Sequence, residues 1–136
     1  MAVAENQLIS REDGIVGGGP VIADKTLYIG TMCFIDAATG LYTDIINGGA
    51  NKFGGIVRDF ADNAGGADAA VNVNVFERSS FILPLASAAQ DDVGKKVYAV
   101  DNADVSLTAT SQTYVGTITR LVDDAHVLVA IDVQLP

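Results

Sequence analysis

The chain contains little of the side-chain chemistry from which catalytic and metal sites are usually built. It has one cysteine, Cys33, one histidine, His126, and no tryptophan in 136 residues. A single cysteine allows no internal disulfide and no cysteine-based metal site. Cys33 and His126 are the residue types of a nucleophilic dyad, but Cys33 lies in the apolar run TMCFI and no third residue is placed to orient His126. The sequence therefore predicts no catalytic residues and no metal ligands.

Positive charge is also scarce. Acidic residues outnumber basic ones 17 to 8, which gives a formal net charge of −9. Because the few lysines and arginines are scattered and a phosphate backbone is anionic, we expect no nucleic-acid partner. No uncharged run approaches the roughly 20 residues that span a bilayer, and the N-terminal residues lack the features of a signal peptide. We expect no membrane contact and synthesis in a cytosol.

Glycine, by contrast, is abundant, and three glycines occur together in GIVGGGPVIADKT, residues 14–26. The segment ends in Lys25 and Thr26, as a phosphate-binding P-loop does, but Asp24 stands where that motif requires glycine. A dinucleotide-binding loop needs a helix after it, and Pro20 together with the β pattern that follows argues against one. The glycines therefore predict a hinge or an extended segment rather than a phosphate site.

Residues 1–26 are Gly-rich and polar with small apolar groups, and no period of a helix or strand runs through them. We predict an extended N-terminal arm, which could pair with an exposed sheet edge of another protein. Deletion of residues 1–22 is expected to leave the fold intact and to weaken attachment. The predicted contact residues of this arm are Leu8, Ile9, Ile15, Val16, Gly17, Gly18, Gly19, Pro20, Val21 and Ile22.

From residue 27 onward the apolar residues follow the pattern of β-strands. The segment AVNVNVFE, residues 70–77, places its valines on one face and its asparagines on the other, which is typical of a strand with one wet face. In the last strand Val127, Val129, Ile131 and Val133 are predicted to share a buried face. Further strands are predicted over residues 31–36, 56–60, 79–85, 96–100, 105–109 and 114–122.

One stretch carries helix signals. Ser87 followed by Gln90 matches a capping box and Gly94 matches a C-terminal stop, so a helix of about two turns is predicted over residues 87–94. Short strands at regular spacing are typical of small antiparallel barrels and sandwiches. We therefore predict a mostly β fold over residues 27–136, a small antiparallel β-barrel or sandwich with one short helix.

The acidic and aromatic residues favour structural roles. The pairs Asp91–Asp92 and Asp123–Asp124 and the segment DNADVS, residues 101–106, lack the alternating spacing of a calcium-binding loop. The aromatic residues fall at strand positions and predict core rather than a stacking platform for sugars or bases. We expect no cofactor. The aromatic residues assigned to the core are Tyr28, Phe34, Phe76, Phe81 and Tyr98.

Four segments together resemble the head decoration, or capsid cement, proteins of tailed bacteriophages. The first, residues 28–40, is an entry strand followed by the turn Ala-Thr-Gly, and the second is the short GGIV segment, residues 54–57. The third, residues 81–108, has a strand ending in Leu-Pro and then a Gly-x-x-Val-Tyr strand. The fourth, residues 114–135, is similar to the closing hairpin of that family. The resemblance covers residues 27–135 and rests on the order and spacing of structural motifs.

The resemblance implies a β-rich domain that binds the outside of an assembled phage head and stabilises it, with no catalysis. It implies the major capsid protein as partner, a homotrimer, and an N-terminal arm that adds a strand to a neighbouring subunit or wraps around it. The expected location is the outer surface of the virion, after synthesis in the cytoplasm of the host bacterium.

Two other functions remain open. A small β-barrel module for a carbohydrate or another ligand would need a concave pocket with polar groups and would not need the arm. A nucleotide hydrolase on a trimeric β-barrel would need phosphate-binding residues and a catalytic aspartate in one cleft. The scattered positions of Arg58, Arg78 and Arg120 give that enzyme little support.

Overall fold

A computed structural model of the chain describes residues 16–133, and in these the chain is mostly β. The strands are β1 (Val16–Pro20), β2 (Thr26–Leu27), β3 (Met32–Ile35), β4 (Tyr42–Thr43), β5 (Lys52–Val57), β6 (Ala61–Asp62), β7 (Asn72–Phe76), β8 (Arg78–Pro84), β9 (Lys96–Ala99), β10 (Val105–Ser106), β11 (Thr113–Asp123) and β12 (His126–Asp132). Two single 3₁₀ turns, Asn47–Gly49 and Gln90–Asp92, interrupt them.

The strands form two five-stranded antiparallel sheets and one two-stranded sheet. The first sheet has the order β1-β7-β5-β3-β4, the second has the order β10-β9-β11-β12-β8, and β2 pairs with β6. In each large sheet one isolated parallel bridge brings the two edges together, Val21 to Tyr42 in the first and Leu85 to Val105 in the second. A single bridge does not continue the ladder, so neither sheet closes into a barrel and the barrel form of the prediction is wrong.

The core consists of two clusters that lie on opposite faces of the first sheet. Along β3, Met32 and Phe34 pack into the larger cluster with the inner face of the second sheet, whereas Cys33 packs into the smaller one. The smaller cluster also contains Val73 and Val75 of β7 together with buried residues of β2 and β6. The first sheet is therefore buried on both faces along β3, and the second is buried chiefly on one.

The alternation predicted for the most regular strands is confirmed. Val127, Val129 and Ile131 of β12 are buried, and Val133 packs against the same cluster. On β7, Val73 and Val75 are buried while both asparagines are exposed. In strands with one solvent-exposed face, residues that alternate between apolar and polar in the sequence therefore alternate between buried and exposed in the structure.

The helix predicted over residues 87–94 does not form, and only the 3₁₀ turn Gln90–Asp92 occurs there. Ser87 has a φ of 57°, outside the right-handed helical region, so it does not cap a helix. The carboxylate of Asp92 instead accepts the backbone N–H of Ala89 at 3.0 Å, and the N–H of Gly94 donates to the carbonyl of Ile118 at 2.8 Å. A hydrogen bond to β11 of the second sheet therefore takes the place of the backbone hydrogen bonds that would have extended a helix.

The strand predicted over residues 56–60 is displaced toward the N-terminus. Strand β5 runs from Lys52 to Val57 and passes through Gly54 and Gly55, whereas the predicted strand began at residue 56. A side chain at Gly54 would crowd the Tyr42 ring, with Cβ 2.9 Å from Cε2. Glycine is needed in this strand because another part of the protein occupies the space of a side chain.

Candidate functional site

Within the predicted arm, residues 16–20 form strand β1, which is an edge strand of the first sheet. Strand β1 pairs antiparallel with β7, from Val16 opposite Phe76 to Pro20 opposite Asn72. Val21 is fully buried in the smaller core cluster, and the N–H of Ile22 donates to the carbonyl of Tyr42 at 2.9 Å. Residues 16–22 are thus held by this protein's own domain. The predicted contacts Leu8, Ile9 and Ile15 lie outside the described residues.

Close packing leaves little room for side chains at the three glycines of β1, above all at Gly18, which faces backbone atoms. A Cβ at Gly18, where φ is 136°, would overlap the carbonyl oxygen of Val73, and one at Gly17 would overlap the carboxylate of Glu77. A Cβ at Gly19 would lie 2.9 Å from Cε1 of Tyr42. The glycines let β1 lie against β7 and Tyr42, and the segment does not have the strand-loop-helix geometry of a phosphate site.

Three large apolar side chains form an exposed knob at one end of the first sheet, which we call the apolar knob. Tyr28, Ile29 and Phe60 are 57%, 65% and 54% exposed. The rings of Tyr28 and Phe60 lie with their centroids 5.7 Å apart. Tyr28 was predicted to be core, and that prediction is wrong. Because Tyr28 and Phe60 contact each other and Ile29 follows Tyr28 in the chain, these side chains form a candidate contact surface.

Local turn geometry holds the apolar knob outward. The N–H of Thr31 donates to the carbonyl of Tyr28 at 3.2 Å, and the Thr31 hydroxyl donates to the same oxygen at 2.7 Å. Gly30 has a φ of 82° and donates its N–H to the carbonyl of Val57 at 3.0 Å. This tight turn between β2 and β3 directs Tyr28 and Ile29 away from the core, a feature that apolar content alone does not reveal.

Cys33 and His126 do not form a dyad. Cys33 is fully buried in the smaller core cluster, where its Sγ donates to the carbonyl of Gly55 at 3.5 Å. Burial raises the pKa of the Cys33 thiol to about 12, so the reactive thiolate is not populated near neutral pH. His126 is on the second sheet at the β11–β12 turn, with Nδ1 2.9 Å from Oδ1 of Asp123. Cys33 is a core residue, as its apolar neighbours indicated.

The other aspartates of interest build turns. The Asp101 carboxylate accepts the backbone N–H groups of Ala103 and Asp104, each at 2.8 Å. The backbone N–H of Ala125, and then His126, lower the pKa of Asp123 from its ordinary value of 3.8. Within residues 16–133, no three His, Cys, Asp or Glu side chains come together where they could hold a metal ion.

The described part of the chain contains no helix of the length and apolarity that a membrane crossing requires. The strongest candidate for a functional surface among the described residues is the apolar knob, together with the edge strand β1. Comparison of the chain with protein-family models, with curated protein sequences and with solved structures found no match.

Proposed function

We propose that the protein binds the outer surface of an assembled bacteriophage head and stabilises it without catalysis, as a homotrimer that contacts the major capsid protein. The four segments that resemble head decoration proteins, over residues 27–135, support this proposal. On this proposal the protein is made in the cytoplasm of the host bacterium and ends on the outside of the virion.

The apolar knob is the observation that carries the proposal. Fully burying a side chain the size of Ile or Phe contributes roughly 1.5–3 kcal/mol. Tyr28, Ile29 and Phe60 are more than half exposed in the isolated chain, so most of that free energy is available to a partner. A ligand that binds only the assembled shell stabilises it by mass action, and several knobs in one trimer would add avidity.

The segment before β1 is the second proposed contact. Leu8, Ile9 and Ile15 precede Val16, which begins the edge strand of the first sheet. We propose that these residues contact a neighbouring capsid subunit, and that residues 16–22 anchor them to the domain. This differs from a 26-residue arm, since Val21 is already buried in this protein's own core.

The test is co-sedimentation with undecorated mature heads, comparing the full chain with the double variant Tyr28→Ser/Phe60→Ser. The matched control is Ile82→Ser, which removes an apolar side chain that is 55% exposed on the second sheet. We expect saturable pelleting of the full chain and the control, and at least about tenfold weaker pelleting of the double variant.

The possible outcomes of this experiment test head binding and the proposed contact surface separately. If the full chain does not pellet with heads, the proposed function is wrong. If the full chain and the double variant pellet equally, the protein binds heads but the knob is not the contact. Sedimentation equilibrium of the free protein tests the homotrimer.

A further inference from the structure

A cleft of about 300 Å³ opens where the first sheet meets the second, away from the apolar knob. The 3₁₀ turn Asn47–Gly49 and the start of β5 form one side, and β9 and β11 form the other. This volume is at the lower end of the range for small-molecule sites, roughly 300–1,000 Å³. The cleft is therefore large enough for one small ring-shaped ligand.

Two tyrosines form one wall. Tyr98 of β9 and Tyr114 of β11 are directly opposite each other in the sheet, and their rings meet edge-on with centroids 5.9 Å apart. Both rings are half-buried, so each presents only part of its face to the cleft. Such a wall offers apolar area for the C–H face of a saturated ring and hydroxyl groups that can hydrogen-bond to it.

Polar groups at the start of β11 lie beside the tyrosine wall and are held in place. The hydroxyl of Thr113 donates to the carbonyl of Asn51 at 2.8 Å, and the Asn51 side chain bonds to the backbone of Ala37 and Ile45. The Oε1 atom of Gln112 accepts from the hydroxyl of Ser106, which leaves the amide N–H₂ of Gln112 as the donor for a ligand. These bonds fix the site before any ligand arrives.

The charge at the cleft is opposite to that of the whole protein. The ammonium group of Lys52 supplies positive charge to the lining of the cleft. Among the described residues that line the cleft, none is acidic, although the chain carries a net charge of −9. No arginine is found there either, whereas phosphate sites commonly use arginine forks or helix N-termini.

We propose that this cleft binds a pyranose sugar that carries a carboxylate, with its C–H face on Tyr98 and Tyr114 and its carboxylate near Lys52. Gln112 donates to a ring hydroxyl. The proposal is independent of head binding, since the cleft and the knob use different residues. A decoration protein would display such a site at the surface of the particle.

The test uses two ligands that differ at one position, methyl α-D-glucuronide and methyl α-D-glucoside, with AMP as a third probe. Binding to the full chain is measured at low salt by titration calorimetry and saturation-transfer NMR. The glucuronide is expected to bind about tenfold more tightly than the glucoside, the ratio for one charge-assisted hydrogen bond. The Lys52→Gln variant should bind the two sugars with equal affinity, and Tyr114→Ala should weaken the binding of both.

The control variant is Lys25→Gln, which removes a lysine paired with Asp44 at 3.1 Å elsewhere on the molecule and should leave both affinities unchanged. Melting temperatures of all variants exclude unfolding as the cause of any loss. The proposal is overturned if the glucuronide shows no saturable binding, if the two sugars bind equally, or if AMP binds more tightly than either.

Discussion

The two large sheets of this protein are built from the same number of strands but in opposite ways. The second sheet has the longest strands, β12 and the β-bulged β11 among them, with a buried inner face and a largely exposed outer face. The first sheet has shorter strands, contains glycines in β1 and β5, and is buried on both faces along β3. The second sheet is held mainly by buried side chains and has one close-packed glycine, Gly116, whereas the first has several such glycines in β1 and β5.

This difference has a physical origin. A strand with one wet face must alternate apolar and polar residues, because each polar side chain on the buried face would cost desolvation free energy. In β1, neighbouring atoms already fill the space of a side chain at Gly17, Gly18 and Gly19. The second sheet should therefore be most sensitive to added charge and the first to added volume.

The largest effect is expected for Val129→Asp, at the centre of β12. Val129 is fully buried in the larger cluster, and an aspartate there would bury a carboxylate without a partner. We expect the free energy of unfolding to fall by about 4 kcal/mol or more, a large part of the roughly 5–15 kcal/mol by which single domains are stable. Chemical denaturation monitored by circular dichroism measures it.

The matched control for that variant is Ser80→Asp on the neighbouring strand β8, where Ser80 is exposed and pairs with Ala130. It should change the free energy of unfolding by less than about 0.5 kcal/mol. A folded Val129→Asp variant with the melting temperature of the wild type would contradict the assignment of the inner face.

The second largest effect is expected from removing β1. A chain that begins at Ala23 should be less stable than one that begins at Val16 by about 3 kcal/mol, because it lacks the buried Val21 and the β1–β7 ladder. The two chains differ only in residues 16–22, so any difference in their melting temperatures belongs to that segment. Equal melting temperatures would show that residues 16–22 add nothing to the stability of the fold, as expected of a separate arm.

A smaller effect is expected for Gly18→Ala, which adds one methyl group to β1. Because φ is 136° and the Val73 carbonyl oxygen occupies the space of the added methyl group, we expect the free energy of unfolding to fall by about 2 kcal/mol. Gly40→Ala is the control, since Gly40 also has positive φ, 75°, but no atom within 4 Å of an added Cβ. The Gly40→Ala variant should lower the free energy of unfolding by about 1 kcal/mol. If the two variants are equally destabilised, backbone strain at positive φ alone accounts for the need for glycine at position 18, and packing against Val73 does not.

The sequence predicted most strands of the second sheet and, in the first sheet, β3 and β7, but it failed for the glycine-containing strands β1 and β5. Strands β8, β9, β11 and β12 lie close to their predicted positions because their residues alternate. Strand β1 was missed and β5 was misplaced because glycines have no side chain to show a period. The helix over residues 87–94 was wrong because a capping signal is local, whereas the bonds that ended the turn come from Ile118.

The candidate sites were less predictable than the fold. Tyr28 looks like a strand residue in the sequence, and only the hydrogen bonds of the turn at Thr31 show why it is exposed. Tyr98 and Tyr114 are 16 positions apart in the sequence and become neighbours only through the β9–β11 register. Surfaces built by pairing distant residues leave no mark in a local pattern.

The smallest effect concerns Asp92, whose carboxylate holds the loop that leads into β9. It accepts the N–H of Ala89 at 3.0 Å and lies 3.1 Å from Nζ of Lys95, and the first and then the second of these lower its pKa from 3.8. A group whose pKa is lower in the folded state stabilises the fold above its ordinary pKa and loses that contribution as pH falls through the folded value.

The variant Asp92→Asn should therefore melt a few degrees below the wild type at pH 7, and the gap should narrow as the pH drops below 3.8. The control is Asp91→Asn, since Asp91 is exposed in the same turn. Thermal melts from pH 7 to pH 2.5 measure both. A gap that stays constant across this range would mean that the Asp92 carboxyl group stabilises the loop through the second oxygen acceptor that asparagine lacks rather than through its charge.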